Sequence, residues 1–360
     1  MKKVLIVITT DFVPYGGLTT VMMNYFRNMD RSELQIDFAS TNEADEGSLA
    51  ELQALGARYF NLGDRKKNLP GYMLRLYKLI RREKYDVLHV NGNSATMLFD
   101  LLPGKLCGVP VRIAHGHTTR SGYPLAHKVL SPFFKLMYTH GIVTSKAAGE
   151  WLFGKRYTVL NNAIDISHYG FSQETRDQVR KELGLEGKYV VGNVGKLNPP
   201  KNHTFLLDIF QQIRARRQDA VLVIAGGGET ETALRQKCKD LGIADAVQFL
   251  GMLDDTSAAL QAFDVFVFTS KFEGLGMALI EAQAAGVACL SSDVVPLETQ
   301  VSDLIQYMSL EASAETWAEA TLAIPAYDRA SRAAAAAESI RQHGYDIHYE
   351  AKKLEEIYQS

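Results

Sequence analysis

At 360 residues the chain exceeds what one hydrophobic core usually serves, so two domains are expected. Hydrophobic residues at 46% and charged residues at 22% suit a globular protein, and a net charge of −2 argues against a general nucleic-acid binder, which carries a basic excess. Cys107, Cys238 and Cys289 show no C-x-x-C spacing and sit among small or apolar residues, as buried thiols in a reducing cytosol do.

The opening "MKKVLIVITT" begins like a signal peptide, but its apolar run has a strand's length and no small-residue cleavage site follows. No run approaches the roughly 20 apolar residues of a membrane-spanning helix. The expectation is a cytoplasmic, non-spanning protein.

Val4–Thr10, "VLIVITT", reads as the first strand, and the glycine turn in "PYGGLTTVMMNYFRNM" opens a helix behind it. Ile36–Ser40 is a second strand, and "SLAELQALGARYFNL" is a helix leading to a third. Asp86–Gly92, Val111–His117 and Gly141–Lys146 continue the set, and Tyr157–Asp165 closes it. The charged segment Gln173–Lys188 then intervenes. A second series follows, "YVVGNVGKL", "AVLVIAGGG", "AVQFLGML", "DVFVFTS" and "VACLSSD", with helical stretches between. Short apolar runs alternating with longer amphipathic ones signal β-α-β units on parallel sheets. The expected fold class is α/β, with two tandem Rossmann-like doubly wound domains facing across a cleft. Residues 1–168 form the first and 169–342 the second, while residues 343–360 form a last helix returning to the first.

Open α/β sheets bind ligands outside the carboxyl ends of their strands. There the second series carries Lys196 and Lys201, a run of three glycines at 226–228, Met252, and "KFEGLGMALIE" with Glu273 and Glu281 around Gly274 and Gly276. Two lysines, glycine turns and free amides at a helix N-terminus suit a phosphate or diphosphate. Carboxylates repel phosphate and suit hydroxyl donors instead. The combination implies a nucleotide-sugar.

Those motifs carry a resemblance. "VGNVGKLNPPKNHTFLLDIF", "VLVIAGGGE", "VQFLGMLDD" and "EGLGMALIEAQAAG" stand in the order and at the spacing of retaining GT-B glycosyltransferases of family four. The resemblance covers nearly the whole chain, and "HVNGN" and "AHGHTTR" point to the capsule and exopolysaccharide subgroup. It implies that Lys196 and Lys201 neutralise the donor diphosphate, although the family more often has arginine where Lys196 stands. It implies further that Glu273 accepts hydroxyls of the transferred sugar and that the amides of Gly274, Leu275, Gly276 and Met277 meet sugar and phosphate oxygens. Glu281 would hold the ribose diol, the backbone at Met252 would read the base edge, and Gly227 would line the donor pocket. Gly16 and Gly17 would lie close to the diphosphate, where a side chain would obstruct it. His115 matches the family histidine near the reacting carbon, with His117 as the competing candidate.

Read singly, most of these residues have bland explanations. Glu281 is then a helix glutamate, Lys201 a solvated lysine, the three glycines a loop, and His115 a satisfied strand-end histidine. His89, His140 and His203 are read as structural. Taken together, with the resemblance, they imply a metal-independent retaining hexosyltransferase that moves sugar from a UDP-sugar to a growing, lipid-linked surface saccharide. No metal or other cofactor is expected, since no D-x-D triplet stands at a strand end. The rivals are a nucleotide-sugar epimerase or phosphorylase on the same plan, and a catalytically silent nucleotide-sugar-binding partner. A nicotinamide dehydrogenase is disfavoured because G-x-G-x-x-G follows neither first strand. Basic and aromatic residues alternate at helical spacing in Asp64–Tyr85 and Tyr123–His140, which suggests peripheral contact with the inner face of an anionic membrane.

Overall fold

The computed structural model describes residues 1–13, 17–41, 44–118 and 122–360. The chain divides into two compact units, Met1–Ala163 with Ile347–Ser360, and Ile164–Asp346. Each is built on one parallel sheet.

In the first unit the strands among the described residues are β1 (Lys2–Ile8), β2 (Leu34–Ser40), β3 (Tyr59–Asn61), β4 (Val87–Gly92), β5 (Val111–Gly116), β6 (His140–Val143) and β7 (Thr158–Val159). Their order in the sheet is β3-β2-β1-β4-β5-β6-β7. Helices cover both faces, so β1 shows no apolar alternation. Val4, Ile6 and Ile8 pack beneath the helix Gly17–Asn28, while Leu5 and Val7 face Tyr72 and Leu76 on the other side.

The second unit holds β8 (Tyr189–Val194), β9 (Ala220–Ala225), β10 (Val247–Gly251), β11 (Val265–Phe268), β12 (Ala288–Ser292) and β13 (Ile305–Met308), in the order β10-β9-β8-β11-β12-β13. Val190 and Val194 pack with Phe263 and Phe266 on one face, and Val191 with Leu206 and Phe210 on the other. In each sheet the order in which strands are added reverses between its first and fourth strands. That switch point opens the crevice where doubly wound sheets take ligands.

The strand expected over Tyr157–Asp165 is only Thr158–Val159. The residues after it serve other ends: the Asn161 N–H donates to Glu350 Oε2 at 3.1 Å, and Asp165 caps the short helix Ile166–Tyr169. β13 was not anticipated from the sequence.

The helix Ile347–Gln359 buries Ile347, Ala351, Leu354 and Tyr358 in the same core as Val4 and Met22. The chain leaves and re-enters the first unit side by side, since Ile164 and Asp346 form a parallel bridge and the Ile164 N–H donates to Tyr345 O at 2.9 Å. Cys238 and Cys289 are buried free thiols and Cys107 is half-buried. Among the described residues no helix is long and apolar enough to cross a membrane.

Candidate functional site

In the second unit the switch point lies between β8 and β11. The chain leaves β8 through Gly195 and Lys196, makes a tight turn over Pro199–Lys201, and enters the helix His203–Arg216 with Asn202 in the left-handed region at φ 57°. The Thr269 hydroxyl, just beyond β11, donates to Asn202 O at 3.1 Å, and the Lys271 N–H donates to Pro200 O at 2.7 Å. These bonds tie the two strand-end loops together.

The tie brings Lys201 to Glu273. The ammonium donates to Glu273 Oε1 at 2.7 Å and lies 4.8 Å from the Phe268 ring centroid. The two side chains are 21% and 10% exposed, so the pair is largely withdrawn from water. Lys196 is exposed on the same loop and forms no ion pair among the described residues.

His203 lies beneath Lys201. Its Nε2 bonds Asn193 Oδ1 at 2.9 Å, and the Asn193 amide donates to Val267 O at 2.8 Å. Burial, with Lys201 adding to it, lowers the imidazole to about 4, so it stays neutral. It supports the loop, as a helix-start residue does.

Glu273 is followed by Gly274, where an added Cβ would meet open space, and by Gly276 at φ 95°. Gly276 heads the helix Met277–Ala284 without a side-chain cap; the Leu279 N–H donates to Gly276 O at 2.9 Å, and the N–H groups of Met277 and Ala278, ahead of that first bond, favour an anion. Glu281 lies further along this helix. It accepts hydrogen bonds from the Tyr169 and Thr256 hydroxyls, and burial raises its carboxyl to about 7 against their opposing effect. Asp255 adds repulsion, while Lys201 attracts.

The three glycines after β9 divide in role. Gly226 and Gly228 have φ 149° and 158°, and a Cβ on either would meet Gly195 O at 2.0 Å or Leu197 O at 2.3 Å. Both are glycine because backbone packs on backbone there. Gly227 is the open one, and its nearest neighbour would be Met252 N at 3.8 Å. Met252, 45% exposed, follows β10 and Gly251 at φ 72°. Gly227 and Met252 are thus neighbours.

In the first unit His115 ends β5, fully buried. Its Nδ1 lies 3.1 Å from His89 Nε2, and its Nε2 has no partner among the described residues. The His117 ring stacks on it at 4.1 Å, and His117 Nε2 bonds Asn91 Oδ1 at 3.0 Å. Burial holds His117 at about 3 and His115 well below the usual range, so both are neutral. Gly17 opens its helix, and among the described residues nothing lies within 4 Å of an added Cβ. Gly16 lies outside the described residues.

Lys201, Glu273, the glycine turn and Glu281 therefore meet at one switch point, Gly227 with Met252 at the ends of β9 and β10, and His115 with His117 at the end of β5. Tyr169 and Thr256, the partners of Glu281, were missed from the sequence. A cavity of about 810 Å³ at the opposite ends of the second unit's strands is lined by Arg176, Tyr189, Asp264 and Arg329. Its arginines are committed: Arg329 donates to Leu260 O, Phe263 O and Ala285 O, and Arg176 binds Asp264. Among the described residues no three His, Cys, Asp or Glu side chains cluster as metal ligands do.

Residues 15–168 match the family Glycosyltransferase Family 4, and residues 175–328 match Glycosyl transferases group 1. The Bacillus subtilis (strain 168) protein named "Putative glycosyltransferase EpsF" is 28% identical over 359 residues, 95% of this chain and 93% of that one. An Escherichia coli UDP-Gal:alpha-D-GlcNAc-diphosphoundecaprenol alpha-1,3-galactosyltransferase is 30% identical over 62% of this chain and 61% of its own. Among solved structures, Anabaena HepE in complex with UDP covers both chains completely with a TM-score of 0.80 at 17% identity, a likeness of fold.

Proposed function

The two halves of this chain belong to the family 4 and group 1 glycosyltransferases of GT-B fold, and from that premise we propose that it transfers a hexose from a UDP-sugar, with retention, to a lipid-linked saccharide of the cell surface. The observation that carries this reading is the Lys201–Glu273 pair, at 2.7 Å between a switch-point loop and an uncapped helix start. An ammonium has three N–H donors, so Lys201 can keep Glu273 and still donate to a diphosphate oxygen. Glu273 has acceptor capacity left for a sugar hydroxyl. Glu281, with Tyr169 and Thr256 beside it, suits a ribose diol, and the backbone at Gly227 and Met252 a base edge.

Lys196, Lys201 and the helix amides supply positive charge where the nucleotide leaves, so we propose transfer without a metal. In same-face substitution the bond from the anomeric carbon to the diphosphate breaks as the acceptor oxygen bonds to that carbon. The departing phosphate oxygen takes the acceptor's proton. The relatives support the donor and acceptor classes, because one is named for UDP-Gal and a diphosphoundecaprenol acceptor and a fold neighbour was solved with UDP. The test is a panel of nucleotide-sugars incubated with a diphosphate-linked lipid saccharide, followed by product mass and anomeric configuration. Epimerised or phosphorolysed donor, or UDP binding without transfer, would overturn the reading.

We also propose membrane contact through the helix Pro124–Phe134. It exposes Leu125, Val129 and Phe133, with Leu136 beyond, at 75%, 59%, 58% and 62%. They recur at steps of three or four residues along one stripe, with Lys128 and Lys135 exposed beside it. The helix Leu69–Glu83 lacks such a stripe, since Tyr72, Leu76, Leu79 and Ile80 are buried in the core. We therefore propose the contact for residues 124–136 alone.

A further inference from the structure

Three side chains distant in sequence form one chain of hydrogen bonds inside the first unit. The Tyr358 hydroxyl lies 2.7 Å from His89 Nδ1, and His89 Nε2 lies 3.1 Å from His115 Nδ1. All three residues are 0% exposed. Burial pushes His89 down to about 3 and His115 well below its ordinary range, so each ring carries a single proton.

The proton order follows from counting donors and acceptors. Among the described residues the Tyr358 hydroxyl has one partner, His89 Nδ1, so a satisfied phenol must donate to it. His89 Nδ1 is then an acceptor and its proton sits on Nε2. That N–H donates to His115 Nδ1, which leaves the His115 proton on Nε2. This nitrogen is the one with no partner among the described residues. In the sheet, Asn91 is the register neighbour of His115, and its Nδ2 is likewise buried without a partner. Asn91 Oδ1 is occupied by His117 Nε2 at 3.0 Å, so its amide too keeps an unused donor. Among the described residues, two adjacent strand ends thus each hold an N–H without a partner, and buried donors in that state call for an acceptor.

We infer that Tyr358 and His89 are positioning residues which hold His115 as its Nε2–H tautomer, so that His115 and Asn91 together donate to one oxygen of the substrate, such as a hydroxyl of the transferred sugar. His115 then serves as a neutral hydrogen-bond donor and takes no proton from the acceptor. This rests on the reading of His115 as a residue that meets the donor sugar, whereas the proton order stands independently of it.

The experiment is ring-nitrogen NMR on protein labelled with ¹⁵N-histidine, beside transfer assays, for wild type and Tyr358→Phe. The phenylalanine keeps the ring and the packing and removes only the hydroxyl. Wild type should show His115 with Nδ1 bare and Nε2 protonated. Tyr358→Phe should show a mixture of tautomers, with kcat down about tenfold, as for one lost hydrogen bond, and an unchanged melting curve for the second unit. A His115 protonated on Nδ1 in wild type, or a tautomer that Tyr358→Phe leaves unmoved, overturns the inference. His115→Ala separates the two claims. If it transfers sugar like wild type while the tautomer still shifts in Tyr358→Phe, the substrate contact is refuted; a matching loss of kcat in His115→Ala and Asn91→Ala supports it.

Discussion

Lys201 and Glu273 can be tested as a pair, because each has both a structural and a chemical reason to be where it is. At 2.7 Å and an effective dielectric near 20, their attraction is about 6 kcal/mol in gross terms. Withdrawing two charges from water offsets most of that, leaving a net of about 1–3 kcal/mol. Lys201→Met strands the Glu273 carboxylate at 10% exposure, and should lower the unfolding free energy of the second unit by about 2 kcal/mol. Glu273→Gln should lower it by about 1 kcal/mol. The double variant should be no worse than Lys201→Met, since neither charge is then left alone, which gives a coupling energy of about 1 kcal/mol or more. Unfolding can be followed through Trp317, buried in the second unit, in a Trp151→Phe background that removes the other tryptophan. Transfer should behave differently. Loss of the cation proposed to face the diphosphate should cost about 1.5–3 kcal/mol of transition-state stabilisation, roughly 10- to 150-fold in kcat/KM, and the double variant should recover none of it. A double variant that regains both stability and turnover would show that the pair only staples two loops.

The Glu281 carboxyl, raised by burial to about 7, should gain a proton as pH falls from 8 to 6 and lose one hydroxyl-accepting oxygen, so UDP-sugar affinity by calorimetry should weaken over that range and become flat in Glu281→Gln. The stability sign is opposite: the native state binds the extra proton between the unfolded value near 4.3 and about 7, so unfolding free energy falls as pH rises through that window, and Glu281→Gln should remove this fall. Gly226→Ala, whose Cβ would sit 2.0 Å from Gly195 O, should destabilise the second unit by about 2 kcal/mol or more in urea unfolding. Gly227→Ala should stay within about 0.5 kcal/mol while reducing the thermal shift given by UDP; an undiminished shift would remove Gly227 from the nucleotide pocket. Leu125→Asp with Phe133→Asp should abolish co-sedimentation with anionic vesicles, and wild-type protein that stays in the supernatant would refute the membrane contact.

The strands were legible where both faces are covered, because a run such as Val4–Ile8 or Val265–Phe268 admits no polar residue. β13 was not, since it lies at the sheet edge, spans Ile305–Met308 and keeps only Ile305 buried, so its letters resemble a loop. Lys201 and Glu273 were legible because both follow strands that flank a switch point. The partners of Glu281 were not: Tyr169 sits in the short helix that opens the second unit and Thr256 beyond β10, and no spacing links either to position 281. In the sequence the glycine run suits a phosphate-binding turn, while in the structure Gly226 and Gly228 let two backbones touch. The histidine chain lay further out of reach, since His89 and Tyr358 are 269 residues apart.

The helix Ile347–Gln359 has a consequence for biosynthesis. Val4, Met22 and their neighbours share a core with Ile347, Leu354 and Tyr358, which the ribosome adds only after all of Ile164–Asp346 has been made. The inserted unit is contiguous in the chain, and all of its residues are made before that helix. Its host must wait with an uncovered apolar face, the kind of surface that recruits chaperones or drives aggregation in a nascent chain.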